Sequence, residues 1–163
     1  SYGLRLPVIE KKILDIEKPR RGDVAVFRLP SDPSINYIKR VIGLPGDKII
    51  YQDHKLTING DEVVMNRDSV NPFHEMKPQF IEEIDRNRHT IITSDANFSI
   101  GEGYYEVPEN SYFMMGDNRD NSRDSRFIGS IPEEYLVGKA ARIWMHMDGF
   151  ELPDIRRIGR KIE

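Results

Sequence analysis

The sequence predicts a mainly β protein: an antiparallel β-sheet core carrying an inserted, less regular subdomain that contains β-hairpins. Three observations carry that expectation. Short apolar runs rich in β-branched and aromatic residues, such as Val24–Leu29 and Ser111–Met115, recur between Gly, Pro and Asn punctuation. Asn59-Gly60 separates Leu56-Thr57-Ile58 from Glu62-Val63-Val64, and Asn-Gly is the dipeptide that two-residue hairpin turns favour, because both central residues need positive φ. From Met65 to about Gly103 the texture changes, with more charge and with breaks at Asn71-Pro72 and Lys77-Pro78.

Taken in order, Val8–Lys18 mixes Ile9, Ile13, Leu14 and Ile16 with charges, a pattern that a helical turn or an irregular strand satisfies, and Pro19 ends it. A turn at Arg21-Gly22-Asp23 leads into the strand Val24–Leu29, closed by Pro30 and a loop Ser31–Ser34. Asn36–Leu44 is the next strand, with Pro45-Gly46-Asp47 as its turn, followed by short strands at Lys48–Tyr51 and Lys55–Ile58. Within the insertion, His89–Thr93 alternates as a strand does. Strands return at Tyr104–Val107 and Ser111–Met115, and a last one is expected at Val137–Met145. The resulting division is a core of residues 1–52 and 104–148, an insertion of 53–103 and a tail of 149–163.

With 163 residues and 38% hydrophobic content, the chain suffices for one domain, or for a core with an insert. Its 24 basic and 27 acidic residues are interspersed and leave a net charge of -3, which makes no case for nucleic acid as a partner. The absence of Cys excludes disulfide scaffolds, thiol catalysis and Cys-rich metal sites. No apolar run reaches the roughly 18 to 20 residues of a membrane span. The opening Ser1-Tyr2-Gly3-Leu4-Arg5-Leu6-Pro7 is not a signal peptide and lacks an initiator Met, so the chain is expected to be a fragment.

The most unusual stretch is Gly116–Arg126, with three Asp, three Arg, two Asn and two Ser behind the apolar Tyr112–Met115. Side chains of this kind bond the local backbone and favour turns, so the stretch reads as a polar loop leaving a strand. Asp120, Ser122 and Asp124 imitate the start of a calcium loop, but Ser125 stands where Gly is required and Ile131 where a bidentate Glu should be. His54, His74, His89 and His146 have no ligand spacing, and no phosphate cradle or dinucleotide fingerprint is present. No metal and no cofactor is therefore expected.

A second stretch, Tyr37–Asp47, sets Lys39 and Arg40 inside an otherwise apolar strand. The strand period puts Lys39 on the face of Tyr37 and Val41, with Ile38 and Arg40 opposite. Two readings fit. Lys39 either snorkels from an edge strand, or it is desolvated into an amine able to act as general base. Lowering a Lys to a pKa near 8 takes roughly 3 kcal/mol, within reach of burial. Arg40 does not deprotonate and is expected to pair with a carboxylate of the polar loop.

Taken together, these segments resemble bacterial type I signal peptidase, the membrane-bound serine protease that removes signal peptides from exported preproteins. The matching pieces are Arg21–Phe27, Tyr37–Asp47, Gly116–Arg126 and Val137–Ala140, in order and at fitting spacing; the resemblance is weak across 53–103. It implies a Ser/Lys dyad with Lys39 as general base and Ser122 as the hydroxyl that orients it. It further implies an Arg40 to Asp117 pair, and Asp124 and Arg126 bracing the loop that carries Ser122. Substrate would add as a strand along Asn36, Tyr37 and Ile38, with Ile38 and Val26 walling shallow pockets for small residues such as Ala, as in Ala-x-Ala cleavage sites. The implied location is the bacterial inner membrane, held through a missing N-terminal segment, with the catalytic part on the periplasmic side.

One departure stands out. The family's nucleophile lies in a Ser-x-Met-x-Pro-like box, and none is present: the one Met two residues ahead of a Pro, Met76, has His74 where the Ser belongs. The nucleophile and its oxyanion donors are thus expected upstream of Ser1, leaving these residues inactive by themselves. A rival from another class is a non-catalytic β-rich peptide-binding or assembly module on the same scaffold. A self-cleaving Ser/Lys repressor domain shares the base chemistry but not the polar loop, and ranks last.

Overall fold

The two-residue turn at Pro30-Ser31 folds β1 (Val24–Leu29) back on the long β2 (Asp32–Gly43), and this hairpin is the centre of the molecule. The structure, a computed structural model, describes residues 18–74, 76–94 and 99–139. All the paired strands among them are antiparallel. The remaining strands are β3 (Lys48–Gln52), β4 (Lys55–Ile58), β5 (Asp61–Glu62), β6 (Val64–Arg67), β7 (Phe73–His74), β8 (Lys77–Ile84), β9 (Asn87–Ile92), β10 (Gly103–Glu106), β11 (Ser111–Met115), β12 (Ile131–Pro132) and β13 (Leu136–Lys139). One helical turn, α1 (Ser125–Ile128), follows β11. The fold is mainly β, as the sequence predicts.

Three sheets form. The first runs β12-β11-β2-β1-β13, the second β10-β3-β4-β5, and in the third β8 pairs with β6, β7 and β9. The apolar side chains that specify the strands fill two main clusters. Ala25, Phe27, Leu29, Tyr37, Val41, Tyr112, Met114, Ile131 and Leu136 make one; Ile42, Ile49, Tyr51, Leu56, Ile84, Val107, Phe113 and Met115 belong to the other. Strand β11 is buried along its whole length because its alternate residues feed both clusters. The Asn59-Gly60 turn forms as expected, with both residues at positive φ.

The structure differs from the sequence reading at several points. Strand β2 begins at Asp32, inside the stretch expected to be loop, because Leu29 pairs with Asp32 across a tight turn and Asp32 then accepts from the Ser34 amide. The His89–Thr93 strand corresponds to β9, but its eight-residue partner β8 was not anticipated, since Pro78 marks a break in the sequence. Pro78 is accommodated near the strand's start. Ile84 from β8 is buried with Ile42 and Met115, and the β8–β9 turn reaches the core's first turn through Asn87 Nδ2, which donates to the Arg21 carbonyl at 2.6 Å. A Cβ on Gly22, at φ +87°, would strike Asn87. The element expected at Val8–Lys18 is described only at Lys18, and the last strand only to Lys139; the rest of each, and the tail, lie outside the described residues.

Candidate active site

Strand β2 sets the geometry of Lys39. Its neighbours alternate as a strand requires, so Tyr37 and Val41 turn into the first cluster while Ile38 packs against Val26 on the opposite face. Lys39 pairs across the sheet with Ala25, a residue too small to cover it, and its Nζ lies 5.6 Å from the centroid of the Tyr37 ring. Burial pushes the Lys39 ammonium below the ordinary lysine pKa. The nearby Arg126 charge works in the same direction, and the attraction of Asp124 and Asp117 does not make up the difference.

Loop Gly116–Asp124 crosses directly over this amine. At Gly116, where the chain leaves β11, a Cβ would overlap Ser122 Oγ and would stand 3.5 Å from Lys39 Nζ. Gly116 thus brings the Ser122 hydroxyl and the Lys39 amine to one spot. Ser122 Oγ is buried and has no hydrogen-bond partner among the described residues. A buried hydroxyl without a partner is costly, and its placement here is set by the backbone of the loop.

That backbone is held on every side. Arg40 grips Asp117 in a bidentate pair, Nε to Oδ1 and Nη2 to Oδ2 both at 2.8 Å, and donates to the Gly22 carbonyl at 2.6 Å. Asp124, fully buried, accepts from the Gly116 amide at 2.9 Å and from Arg126 Nε and Nη2 at 2.9 and 2.8 Å. It also caps α1 by accepting from the Arg126 amide. Arg126 in turn donates to the carbonyls of Arg119 and Ile100, and Ser125 Oγ accepts from the Met114 amide. Lys39, Ser122, Arg40, Asp117, Asp124 and Arg126, all singled out in the sequence, converge here.

The remaining candidates line the neighbouring edge. Asn36, Tyr37 and Ile38 pair with Arg28, Phe27 and Val26 of β1 on one side. On the other side β11 pairs with β2 only at Arg40, Val41 and Gly43, so beside Asn36–Ile38 that edge carries no strand among the described residues. Val26 is buried, with Val24, Ile38 and Val137 packed around it. Tyr37 differs from its neighbours: its ring belongs to the core, edge-on to Phe27 at 5.9 Å, so only its backbone faces the edge.

The sequence reading missed a buried ionic cluster behind the loop. Arg119 makes a bidentate pair with Glu82 of β8 at 2.8 and 2.5 Å, and both are 1% exposed. His89 Nε2 of β9 lies 3.0 Å from the same carboxylate. Asp120 accepts from the Ser94 amide at 2.6 Å and sits 3.5 Å from His54 Nδ1. Arg119 is inside the loop motif, but Glu82 and His89 lie in the stretch whose pattern was least informative, and only the Glu82 and His89 cross-strand register brings them together. Among the described residues, no helix is long and apolar enough to cross a membrane.

Residues 3–145 match the family described as signal peptidase, peptidase S26. The chain is 42% identical to a signal peptidase I of Pseudomonas fluorescens, over 98% of this chain and 62% of that protein. It is 39% identical to a signal peptidase I of Pseudomonas aeruginosa, with the same two coverages. A solved signal peptidase I from Enterococcus faecalis aligns with a TM-score of 0.49 and 28% identity, covering 76% of this chain and 97% of that one. The chain thus spans somewhat less than two thirds of the Pseudomonas relatives.

Proposed function

This chain belongs to the signal peptidase family, peptidase S26, and on that premise we propose that it supplies the general base and scaffold of an endopeptidase that removes signal peptides from exported preproteins. Lys39 is the base. Its neutral amine takes the proton of an attacking hydroxyl, whose oxygen adds to the scissile carbonyl; the same proton then passes to the departing amide nitrogen. Ser122 orients the amine, as the third member does in a Ser-His-Asp triad. Arg40 with Asp117, and Asp124 with Arg126, fix the loop that carries Ser122. The observation that carries this reading is the desolvated Lys39 amine near the buried Ser122 hydroxyl, which has no hydrogen-bond partner among the described residues.

Substrate enters as an added strand beside β2 at Asn36–Ile38, with Val26 and Ile38 limiting the side chains admitted to small ones such as Ala. The nucleophilic Ser and the oxyanion donors come from a segment ahead of residue 1, which also anchors the protein in the inner membrane with this part on the periplasmic side. Residues 53–103 form an insertion on the core of 1–52 and 104–148, and the chemistry uses no cofactor.

The test is cleavage of a peptide ending its signal in Ala-x-Ala by three proteins: these 163 residues, the same chain extended upstream by its native sequence, and the extended chain with Lys39→Ala. Cleavage by the extended chain alone, abolished by Lys39→Ala, is the expected result. Binding without cleavage by the extended chain overturns the catalytic reading in favour of a peptide-binding module.

A further inference from the structure

The geometry points to Glu82 as a positioning residue for the Lys39 and Ser122 pair, acting through Arg119. This inference rests on the catalytic reading above and gives the insertion a role in it. Among the described residues Ser122 Oγ has no hydrogen bond of its own to fix it, so its position relative to Lys39 Nζ follows from where the loop backbone is held. On the β2 side the hold is Arg40 on Asp117. On the opposite side the strand pair β8–β9 and the chain that follows it supply most of the hold, with His54 of the β3–β4 turn 3.5 Å from Asp120. Ile92 N donates to the Asp117 carbonyl at 2.9 Å, Asp120 accepts from the Ser94 and Ile100 amides, and the Arg119 guanidinium is gripped by Glu82.

Of these, the Glu82 contact alone is a buried, bidentate charge pair, and Arg119 lies three residues before Ser122. A buried ion pair is a weak source of stability, since desolvation offsets most of its attraction. What two parallel bonds between planar groups do supply is orientation. The Arg119 carbonyl accepts from Arg126 at 2.6 Å, and Arg126 binds Asp124, which holds the Gly116 amide. Glu82 therefore sets the Arg119 side chain while its backbone joins the bracing around Gly116. His89, opposite Glu82 in the register and bonded to it, keeps the carboxylate facing the guanidinium. The insertion is in this way a clamp behind the catalytic loop.

The experiment compares the complete protein that carries this chain with its Glu82→Gln, Glu82→Asp, Arg119→Lys and Lys39→Ala variants, measuring kcat and KM on an Ala-x-Ala peptide well below the melting temperature of each. Glu82→Gln is expected to lower kcat about tenfold or more, the scale of a small misplacement of reacting groups, with KM within about twofold because the substrate edge of β2 is untouched. Glu82→Asp, which keeps the charge, recovers part of the loss. A folded Glu82→Gln protein with a lowered melting temperature and the parent's kcat overturns the proposal, as does a rise in KM without a fall in kcat. Should Glu82→Gln not fold, Arg119→Lys carries the same test, since it keeps the charge and gives up the two-pronged contact; parental kcat there overturns the proposal equally. Lys39→Ala separates the levels. If it still cleaves, the base assignment fails and this inference with it; if it is inactive while both pair variants match the parent, only the positioning role fails.

Discussion

Ser122 occupies the space in which Gly116 would carry a side chain. The hydroxyl overlaps the position of a Gly116 Cβ, and Lys39 Nζ lies 3.5 Å from the same point. Glycine is required here by the close approach of Ser122, with Lys39 Nζ in ordinary contact. Gly116→Ala is expected to displace Ser122, lower cleavage by about 100-fold, and cost roughly 1 to 3 kcal/mol of stability through overpacking. Steady-state kinetics and urea denaturation on the same preparation check both, and full activity in the alanine variant would sink the idea that this spot is crowded by function.

Lys39 should destabilise the fold that contains it. Its folded pKa is depressed below 10.5, chiefly by burial, so between the folded value and 10.5 the unfolded chain binds the extra proton and stability rises with pH. Below the folded value the full cost of burying the ammonium is felt. Lys39→Met is expected to abolish cleavage, to raise the urea midpoint near pH 7, and to lose that advantage progressively as pH approaches 10.5. An equal midpoint difference at neutral and alkaline pH would show that burial of the charge is not what the substitution relieves.

Arg40 and Asp117 tie β2 to the loop at a position where Asp117 is partly open to solvent, so the pair is expected to matter more for geometry than for stability. Arg40→Lys keeps the charge and gives up the fork of two 2.8 Å bonds. A stability loss of about 1 kcal/mol with a larger fall in kcat is expected, and a double-mutant cycle with Asp117→Asn should show the two positions coupled. Additive losses would mean that the bond seen here does not act in the working protein.

Ile38 sits on the face opposite Lys39 and packs against Val26. Ile38→Ala is expected to enlarge the adjoining pocket and raise kcat/KM for peptides with Val in place of Ala, relative to the Ala peptide, by roughly 10-fold, the low end of what one methylene commands in an apolar site. An unchanged ratio would place the selecting pocket elsewhere.

Much of the site was legible because its residues are close in sequence or follow a strict period. The alternation through Tyr37, Lys39 and Val41 gave Lys39 its face, and the polar composition of Gly116–Arg126 gave the loop and a carboxylate for Arg40. What was not legible depends on pairing between distant segments. Pro78 made β8 look like a break, whereas a strand tolerates proline where no ladder amide is needed. Glu82 reads in sequence as one charge among several in Ile81-Glu82-Glu83-Ile84, and nothing local distinguishes it from exposed Glu83; only the register with His89 and the approach of Arg119 bury it. The composition around Asp32 is that of a loop, and the tight turn before it carries the strand further than these residues alone indicate.

The same carboxylate sets how the fold responds to acid. Burial pushes Glu82 up, but the Arg119 charge and the hydrogen bonds from His89 and Arg119 outweigh it and hold the carboxyl at about 2, against an ordinary 4.5. A depressed carboxyl contributes stability that is fully present above 4.5 and is lost as pH falls through 2, here on the order of 3 kcal/mol. The native protein is therefore expected to lose stability steeply between about pH 4.5 and 2, and Glu82→Gln to flatten that slope while being less stable than the parent near neutrality, where it leaves Arg119 buried without its counter-charge. Urea midpoints across that interval decide it. A parallel pair of curves would mean that carboxylates other than Glu82 carry the acid sensitivity.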